Sequence, residues 1–280
     1  MRWLTCLTAI IVVGSVASAA DKTPRVVECS PNALILRQTG EHVTWDQLQQ
    51  PGNPFEKLLD RIATNKTKQY LALLVRPGSR QFFRTARKTA MDRSIDVGYD
   101  VDEPIGSPMP NRSRFGFPPE DQAGDKKPVF FECRSNQVFF IDRDGLEKQV
   151  KQSLATLEPG KMAEGPAAFA RIVTNEVGNK TYKVLLGYLL NFTVALEPKL
   201  GVMGDGPDQL KLPDCRYRVV LSKFNEQTHF VIFLVRDDSF PVFRKVRGIT
   251  EKNRFEIYWE LLAPDELIKF ATGGALVPAN

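Results

Sequence analysis

The sequence has few of the residues on which most catalytic and metal sites depend. It contains only two histidines, His42 and His229, and four cysteines. No pair of these residues has the spacing of zinc ligands, and no cofactor motif is present, so we expect neither a metal nor a cofactor. A Ser-His-Asp or Cys-His site would have to use one of the two histidines.

Charge of one sign is not concentrated in any arm or stripe. The formal net charge is +5 over 280 residues, with 38 Lys and Arg spread among 33 Asp and Glu. Nucleic-acid-binding surfaces usually carry clustered basic residues, so we expect no nucleic-acid partner. Carboxylates do gather at predicted strand ends. These clusters could bind a cation, and the alternative is that they are simply solvated. They are Asp96, Asp100, Asp102 and Glu103 at one end, and Asp237 and Asp238 at another.

Long apolar runs are missing except near the N-terminus. Residues 1–20 begin with Arg2, continue with an apolar stretch over 4–16, and end in Ala17-Ser18-Ala19 before Ala20. This order is typical of a secretory signal peptide, and the stretch is short for a span of ~20 residues. We expect cleavage near residue 20, a periplasmic or extracellular location, and no integral membrane span in the mature chain. An uncleaved anchor is the alternative.

Cysteine is also scarce for an exported chain. Removal of residues 1–20 would leave Cys29, Cys133 and Cys215, an odd number that allows at most one internal disulfide. The chain is therefore no disulfide scaffold, and its core must supply the stability. Cys29 and Cys133 occupy similar sequence contexts, and we expect small buried groups there. The sequence leaves open whether Cys29 and Cys133 form a disulfide.

One stretch of sequence occurs twice. Residues 70–100 align with residues 230–260 without a gap, and seven positions are identical. A repeat of this length indicates one supersecondary unit used twice. The identical pairs are Leu74/Leu234, Val75/Val235, Arg76/Arg236, Ser79/Ser239, Phe83/Phe243, Arg84/Arg244 and Arg87/Arg247.

Each copy predicts a strand, a helix and a second strand. The apolar runs 71–75 and 231–235 suit strands that are buried on both faces. Ser79 and Ser239 then stand where a helix N-cap would be, and apolar residues follow at helical spacing. An alternating run closes each copy. From this pattern we expect Leu73, Val75, Phe83, Phe233, Val235 and Phe243 to be buried.

The order of these signals predicts an α+β fold. It consists of a tandem repeat of hairpin-helix-strand-helix-strand units, which form mixed sheets with helices on one face. Residues 24–103 are the first unit, in which Thr44 and Asn53 are predicted to cap helices. Residues 104–128 contain six Pro and three Gly and are a predicted linker. Residues 129–274 are the second unit, with an inserted region at about 146–213.

The second unit carries further local predictions. Helices are expected over 146–157 and 166–176, and the run 216–222 alternates like a strand that forms a hairpin with 228–235. Pro264 is the predicted start of a terminal helix.

The repeated arginines are the strongest candidate for a binding site. An arginine at the end of a buried strand, near two more on the following helix, could gather an anionic group. A solvated helix face is the alternative. The anion-binding candidates are Arg76, Arg84, Arg87, Arg236, Arg244 and Arg247.

The element order over residues 26–103 resembles the soluble periplasmic domain of the ExbD/TolR family of biopolymer-transport proteins. The matching features are a hairpin with a short polar turn, a capped helix after Val43-Thr44-Trp45-Asp46-Gln47-Leu48, a buried strand, an amphipathic helix, and a closing strand over 95–99. The resemblance implies an envelope-located, non-catalytic α+β module that pairs through sheet edges. That family has a transmembrane helix with a functional acidic residue, whereas residues 2–20 contain none, so a proton-driven role is not carried over.

Together these features predict an exported, non-enzymatic binding or scaffold module of the cell envelope. The partner we expect is an envelope protein or an anionic polymer, and the oligomeric state stays open. The alternative is a hydrolase of envelope polymers that uses the strand-end carboxylates. An enzyme should have a deep pocket that holds acidic residues, His42 or His229, whereas a module should not.

Overall fold

The computed structural model describes residues 22–101, 125–155, 177–186, 188 and 193–271. In these ranges the chain has a mixed α+β fold with three sheets, which confirms the predicted class. No helix within them is long and apolar enough to cross a lipid bilayer.

The first sheet is formed by residues 23–100. Its strands are β1 (Thr23–Cys29), β2 (Ala33–Leu36), β3 (Glu41–Thr44), β4 (Gln69–Val75) and β5 (Val97–Asp100), in the order β3-β2-β1-β4-β5. β1 pairs antiparallel with β2 and parallel with β4, and β4 pairs parallel with β5. Its helices are α1 (Trp45–Leu48), α2 (Pro54–Thr64) and α3 (Arg80–Asp92).

The second sheet repeats this strand order without an equivalent of β3. Its strands are β6 (Lys127–Arg134), β7 (Gln137–Ile141), β11 (His229–Arg236) and β12 (Ile257–Leu262), in the order β7-β6-β11-β12. The pairing directions also match, because β6 is antiparallel to β7 and parallel to β11, which is parallel to β12. Even the register agrees, since Cys29 lies opposite Val75 and Cys133 opposite Val235. Helices α5 (Arg216–Leu221) and α6 (Phe240–Lys252) complete this unit.

The third sheet combines three strands that lie between β7 and β11 in sequence with one strand that follows β12. Helix α4 (Arg143–Ala155) precedes β8 (Val177–Gly178), β9 (Tyr182–Leu185) and β10 (Thr193–Pro198), and β13 (Ile268–Ala271) joins them in the antiparallel order β13-β10-β9-β8. The predicted helix from Pro264 is therefore wrong. Arg236 donates hydrogen bonds to the carbonyl oxygens of Ala263, Pro264 and Glu266, which hold this segment as a turn before β13.

The predicted strand over 216–222 is also wrong, because this segment forms α5. Tyr217 and Leu221 are the buried residues of α5, and their spacing of four positions is helical. A six-residue run that mixes apolar and charged residues fits the strand period and the helix period alike. The predicted helix over 166–176 lies outside the described residues. Most of the predicted linker lies outside them too, and the last two residues of the linker belong to β6.

The likeness between the two units continues before α5. Residues 44–53 (TWDQLQQPGN) align with residues 206–215 (GPDQLKLPDC). The side-chain oxygen Oε1 of Gln47 accepts the Thr44 N–H at 2.9 Å, and Oε1 of Gln209 accepts the Gly206 N–H at 3.1 Å. A single antiparallel bridge between Val138 and Asp205 corresponds to the pairing of β2 with β3. The elements without a counterpart in the first unit therefore lie between β7 and Asp205, except for β13, which follows β12.

The predicted helix caps are partly confirmed. Thr44 forms the capping box with Gln47, and the Asn53 side chain accepts the Glu56 N–H at 3.0 Å. Ser79 and Ser239 make no such bond, because their backbone angles are not extended and their hydroxyls donate to the Arg76 carbonyl and to Asp238 instead. An extended backbone is what directs an N-cap side chain at the first helical N–H groups.

Two hydrophobic clusters form the core. The first contains residues of both repeated units, including the six predicted core residues, and all six are fully buried, as predicted. The second lies on the opposite face of the second sheet, where Phe130, Ile232 and Tyr258 pack with residues of α4 and the third sheet. The expectation of helices on one face therefore fails for the second sheet, because α4 covers its other side.

Candidate functional site

The arginines at the ends of β4 and β11 each bind a glutamate on the neighbouring strand. Arg76 Nε lies 2.9 Å from Glu28 Oε1, and Arg236 Nε lies 2.7 Å from Glu132 Oε1. Glu132 is fully buried and also accepts bonds from Arg134 and from the Tyr182 hydroxyl at 2.8 Å. Burial and the Glu132 charge raise the pKa of Tyr182 well above its ordinary value. A buried carboxylate needs such partners, so these groups satisfy one another.

The arginines at the middle of α3 and α6 join the two units reciprocally. Arg87 Nη1 lies 3.0 Å from Glu260 Oε2 on β12, and Arg247 Nη1 lies 2.6 Å from Asp100 Oδ1 on β5. Although burial alone would lower the pKa of Arg247, its bond to Asp100 raises it above the usual value. Each ion pair therefore connects one unit's helix to the other unit's closing strand.

The third pair of arginines follows the same reciprocal rule. Arg84 Nη2 donates to the Leu261 carbonyl oxygen at 3.4 Å, and Arg244 Nη2 donates to the Val101 carbonyl oxygen at 3.0 Å. Between these contacts the Tyr99 hydroxyl donates to the Trp259 carbonyl oxygen at 3.2 Å, and the two rings meet edge to face at 4.9 Å. A set of contacts in which equivalent residues exchange roles is the pattern of an isologous interface.

Each of the six candidate arginines therefore has a carboxylate or carbonyl partner inside the chain. Glu266 adds to this network, because it bonds both Arg80 and Arg84. Any external anion would have to compete with these partners. Anion binding by the six arginines stays a prediction. The described contacts of Arg84, Arg87, Arg244 and Arg247 join the two units, whereas those of Arg76 and Arg236 lie within one unit.

The strand-end carboxylates do not form one cluster. Asp96 pairs with Lys22, Asp100 pairs with Arg247, and Asp238 accepts the Ser135 N–H at 3.1 Å. Asp237 is different, because its Oδ1 atom is buried and finds no hydrogen-bond partner among the described residues. Burial raises the pKa of Asp237, against the opposing effects of the Gly78 N–H and Arg80. Asp102 and Glu103 lie outside the described residues.

The histidines and cysteines form no recognisable catalytic group where the chain is described. His42 is exposed on β3, and His229 has its Nδ1 2.9 Å from the Thr228 hydroxyl. Cys29, Cys133 and Cys215 are buried free thiols, and burial raises the pKa of Cys29 and of Cys133. No group of three or more His, Cys, Asp or Glu residues in the described ranges could hold a metal ion.

A surface cavity of about 190 Å³ lies between α2 and the hairpin of the first unit. Its lining combines two guanidinium groups and three side-chain amides with a threonine and two leucines. The lining residues are Arg25, Leu36, Gln38, Thr39, Leu58, Arg61, Asn65 and Gln69. Nothing in the sequence draws attention to these positions, because they come from four separate elements and loops with no regular spacing.

Comparison with known proteins adds no relative. No protein-family model matches the chain, and no curated protein and no solved structure matches it either.

Proposed function

We propose that this protein is an exported, non-enzymatic binding or scaffold module of the cell envelope, built from two copies of one α+β unit that arose by duplication. The observation that carries the proposal is the reciprocal bonding of the repeated arginines. Arg87 and Arg247 bind carboxylates of the opposite unit, so these charges maintain a rigid double unit. Carboxylates that are engaged in this way are poorly suited to act as a general acid or base.

Three further features support the location and the origin of the module. The residue pattern over 1–20 is that of a secretory signal. The first unit has the order β1-β2-β3-α1-α2-β4-α3-β5, which contains the hairpin, helix, strand, helix and strand that its resemblance to the ExbD/TolR periplasmic domain implies, with β3 and α1 in addition. The matching strand order and register of the two sheets are what a duplication would leave.

Export is tested by fractionation of a Gram-negative host that produces the full-length chain. We expect the protein in the periplasmic fraction, with an N-terminus near Asp21 when it is sequenced. A periplasmic product that still begins with Met1 would show that the segment is retained, and a cytoplasmic product would contradict export.

The module itself is tested by sedimentation of the mature chain with isolated bacterial envelopes. We expect saturable binding, with no release of soluble fragments from the envelope during prolonged incubation. Failure to sediment above the level of a non-binding control protein would contradict the proposed function.

The hydrolase alternative is favoured by one observation, the half-buried carboxylate of Asp237, whose Oδ1 atom is buried and whose pKa is raised by burial. A carboxyl group in such surroundings can serve as a general acid. If the mature chain releases fragments and Asp237→Asn abolishes the release, the enzyme function replaces the scaffold function.

A further inference from the structure

We propose that the cavity between α2 and the first hairpin binds a carboxylate or phosphate group, which Arg25 and Arg61 hold together. The inference rests on the proposed binding function and assigns its ligand class. It places anion recognition at a different site from the six repeated arginines.

The two arginines present unused donors to the same cavity. Arg25 uses its Nε to bond the Gln69 side-chain oxygen at 3.0 Å, and Arg61 uses its Nε to bond the Lys57 carbonyl oxygen at 3.3 Å. Neither residue is ion-paired with a carboxylate in the described part of the chain, and the terminal Nη groups of both have no protein partner there. Two Nη groups on one guanidinium form the fork that binds a carboxylate or phosphate in bidentate fashion.

The fixed Nε atoms also restrict where the two forks can point. A side chain that is already held at Nε loses less conformational freedom when it binds a ligand, which favours affinity. Glu41 is a carboxylate near this lining that accepts the Thr39 hydroxyl at 2.8 Å, and its single negative charge is outnumbered by the two guanidinium groups. The donors left for an anion are the two guanidinium groups, since the Asn65 Nδ2 already donates to the Arg61 carbonyl oxygen at 3.1 Å.

The size of the cavity limits the ligand to a small group. Its volume of about 190 Å³ is below the ~300–1,000 Å³ of pockets that enclose whole drug-sized molecules. Leu36 and Leu58 are both buried and provide an apolar floor. The cavity therefore suits one anionic group, such as a single charged unit at the end of a larger ligand.

The second unit shows that the fold does not require this cavity. The strand registers make Phe140 the counterpart of Leu36, and His229 the counterpart of Gln69. In the second unit Phe224 stands between them, with its ring 6.1 Å from that of Phe140 and 5.2 Å from that of His229. In the second unit, aromatic rings fill the position that corresponds to the cavity of the first unit. The cavity with its arginines and amides is therefore a specific feature of the first unit.

The test is calorimetric titration of the mature chain with inorganic phosphate and with acetate, followed by sedimentation with phosphatidylglycerol vesicles. We expect saturable binding of at least one free anion, weakened at least tenfold by Arg61→Gln and by Arg25→Gln. Arg61→Lys keeps the charge without the fork and should weaken binding several-fold. Lys57→Gln is the matched control, because Lys57 is exposed on the same helix and does not line the cavity, and it should change affinity less than twofold.

Each outcome decides a separate question. If the protein binds both vesicles and phosphate, and Arg61→Gln loses both, the anionic group that the site binds is a lipid headgroup. If the protein binds free anions but not vesicles, the anionic group belongs to a solute or a polymer. Absence of binding to every probe, or an equal loss with Lys57→Gln, overturns the site. If Arg61→Gln binds phosphate like the wild type and sediments normally with bacterial envelopes, the site is wrong while the envelope module stands. If the wild type binds phosphate through Arg61 but ignores envelopes, the site stands and the envelope function fails.

Discussion

At the scale of single residues, the same pair of amino acids has different surroundings in the two units. Glu28 and Glu132 occupy equivalent strand positions, and each binds the arginine that ends the adjacent parallel strand. The Glu28 side chain is 14% exposed, whereas that of Glu132 is completely buried and has Tyr182 of the third sheet as an additional donor. Since charge burial is costly without compensation, the two glutamates should contribute unequally to stability.

We therefore expect Glu132→Gln to destabilise the protein by about 3–5 kcal/mol, because it leaves the buried Arg236 and the partly buried Arg134 without their counter-charge. Glu28→Gln is the matched control, and at its partly exposed site the loss should be about 1 kcal/mol or less. Urea denaturation at neutral pH measures both. Similar losses for the two variants would show that burial does not distinguish the pairs.

Asp237 gives a prediction about pH. Its pKa in the folded chain is above the ordinary value of 3.8, so the folded state binds this proton more tightly than the unfolded chain does. The group therefore costs stability at neutral pH, and the cost disappears when the pH falls below its ordinary pKa, where both states are protonated.

Asp237→Asn should accordingly raise the melting temperature at pH 7 by about 2 °C, and the gain should vanish towards pH 3. The measurement is thermal unfolding across this pH range. Asp96→Asn serves as the control, since Asp96 is exposed and paired with Lys22, and should give no gain at any pH. A gain for Asp237→Asn that is independent of pH would rule out ionisation as its cause.

At the scale of secondary-structure elements, α3 and α6 each bind the other unit's closing strand. The two ion pairs differ in burial, because the side chains of Arg247 and Asp100 are 10% and 8% exposed, whereas that of Arg87 is 24% exposed. Both pairs also border the aromatic contact of Tyr99 with Trp259. The α6–β5 contact should therefore contribute more to the joint than the α3–β12 contact.

We expect Arg247→Met to cost about 3–5 kcal/mol, because it removes the counter-charge of the buried Asp100 carboxylate, and Arg87→Met to cost less. The double variant Arg247→Met with Asp100→Asn should lose less than the sum of the single variants. Denaturant melts of the four proteins complete the cycle. Additive losses would mean that the two residues act independently.

At the scale of the whole molecule, equivalent residues of the two units bond each other reciprocally, as they would across the interface of a dimer. The closing strands β5 and β12 are the edges of their sheets, and both edges are covered by the contact between the units. An open sheet edge invites pairing with another chain. Joining two units in one chain protects both edges at once.

This organisation predicts that residues 22–101, produced alone, fold as a homodimer. In such a dimer Arg87 of one copy would bind Asp100 of the other, in the place where Glu260 stands in the full chain. Light scattering should give twice the fragment mass, and circular dichroism should show folding that depends on concentration. The variant Asp100→Lys should remain unfolded and monomeric. A wild-type fragment that folds as a monomer would show that the second unit is not needed to cover β5.

The sequence alone determined the repeated strand-helix-strand units, the caps at Thr44 and Asn53, and the buried faces of β4 and β11. These features depend on local periodicity and on residues close together in the chain, so they can be recognised without knowledge of the fold.

The tertiary structure decided the features that depend on distant partners. The segment 216–221 became a helix because Tyr217 and Leu221 pack into the shared core, and the turn at 263–266 is held by Arg236, about 30 residues earlier. The partners of Arg87 and Arg247 lie 173 and 147 residues away, and no spacing rule connects them. Arg25 and Arg61 meet at one cavity only because α2 packs on the sheet that contains β1. Burial and pairing of charge are properties of such long-range contacts, so the roles of these arginines follow from the fold and not from their local sequence.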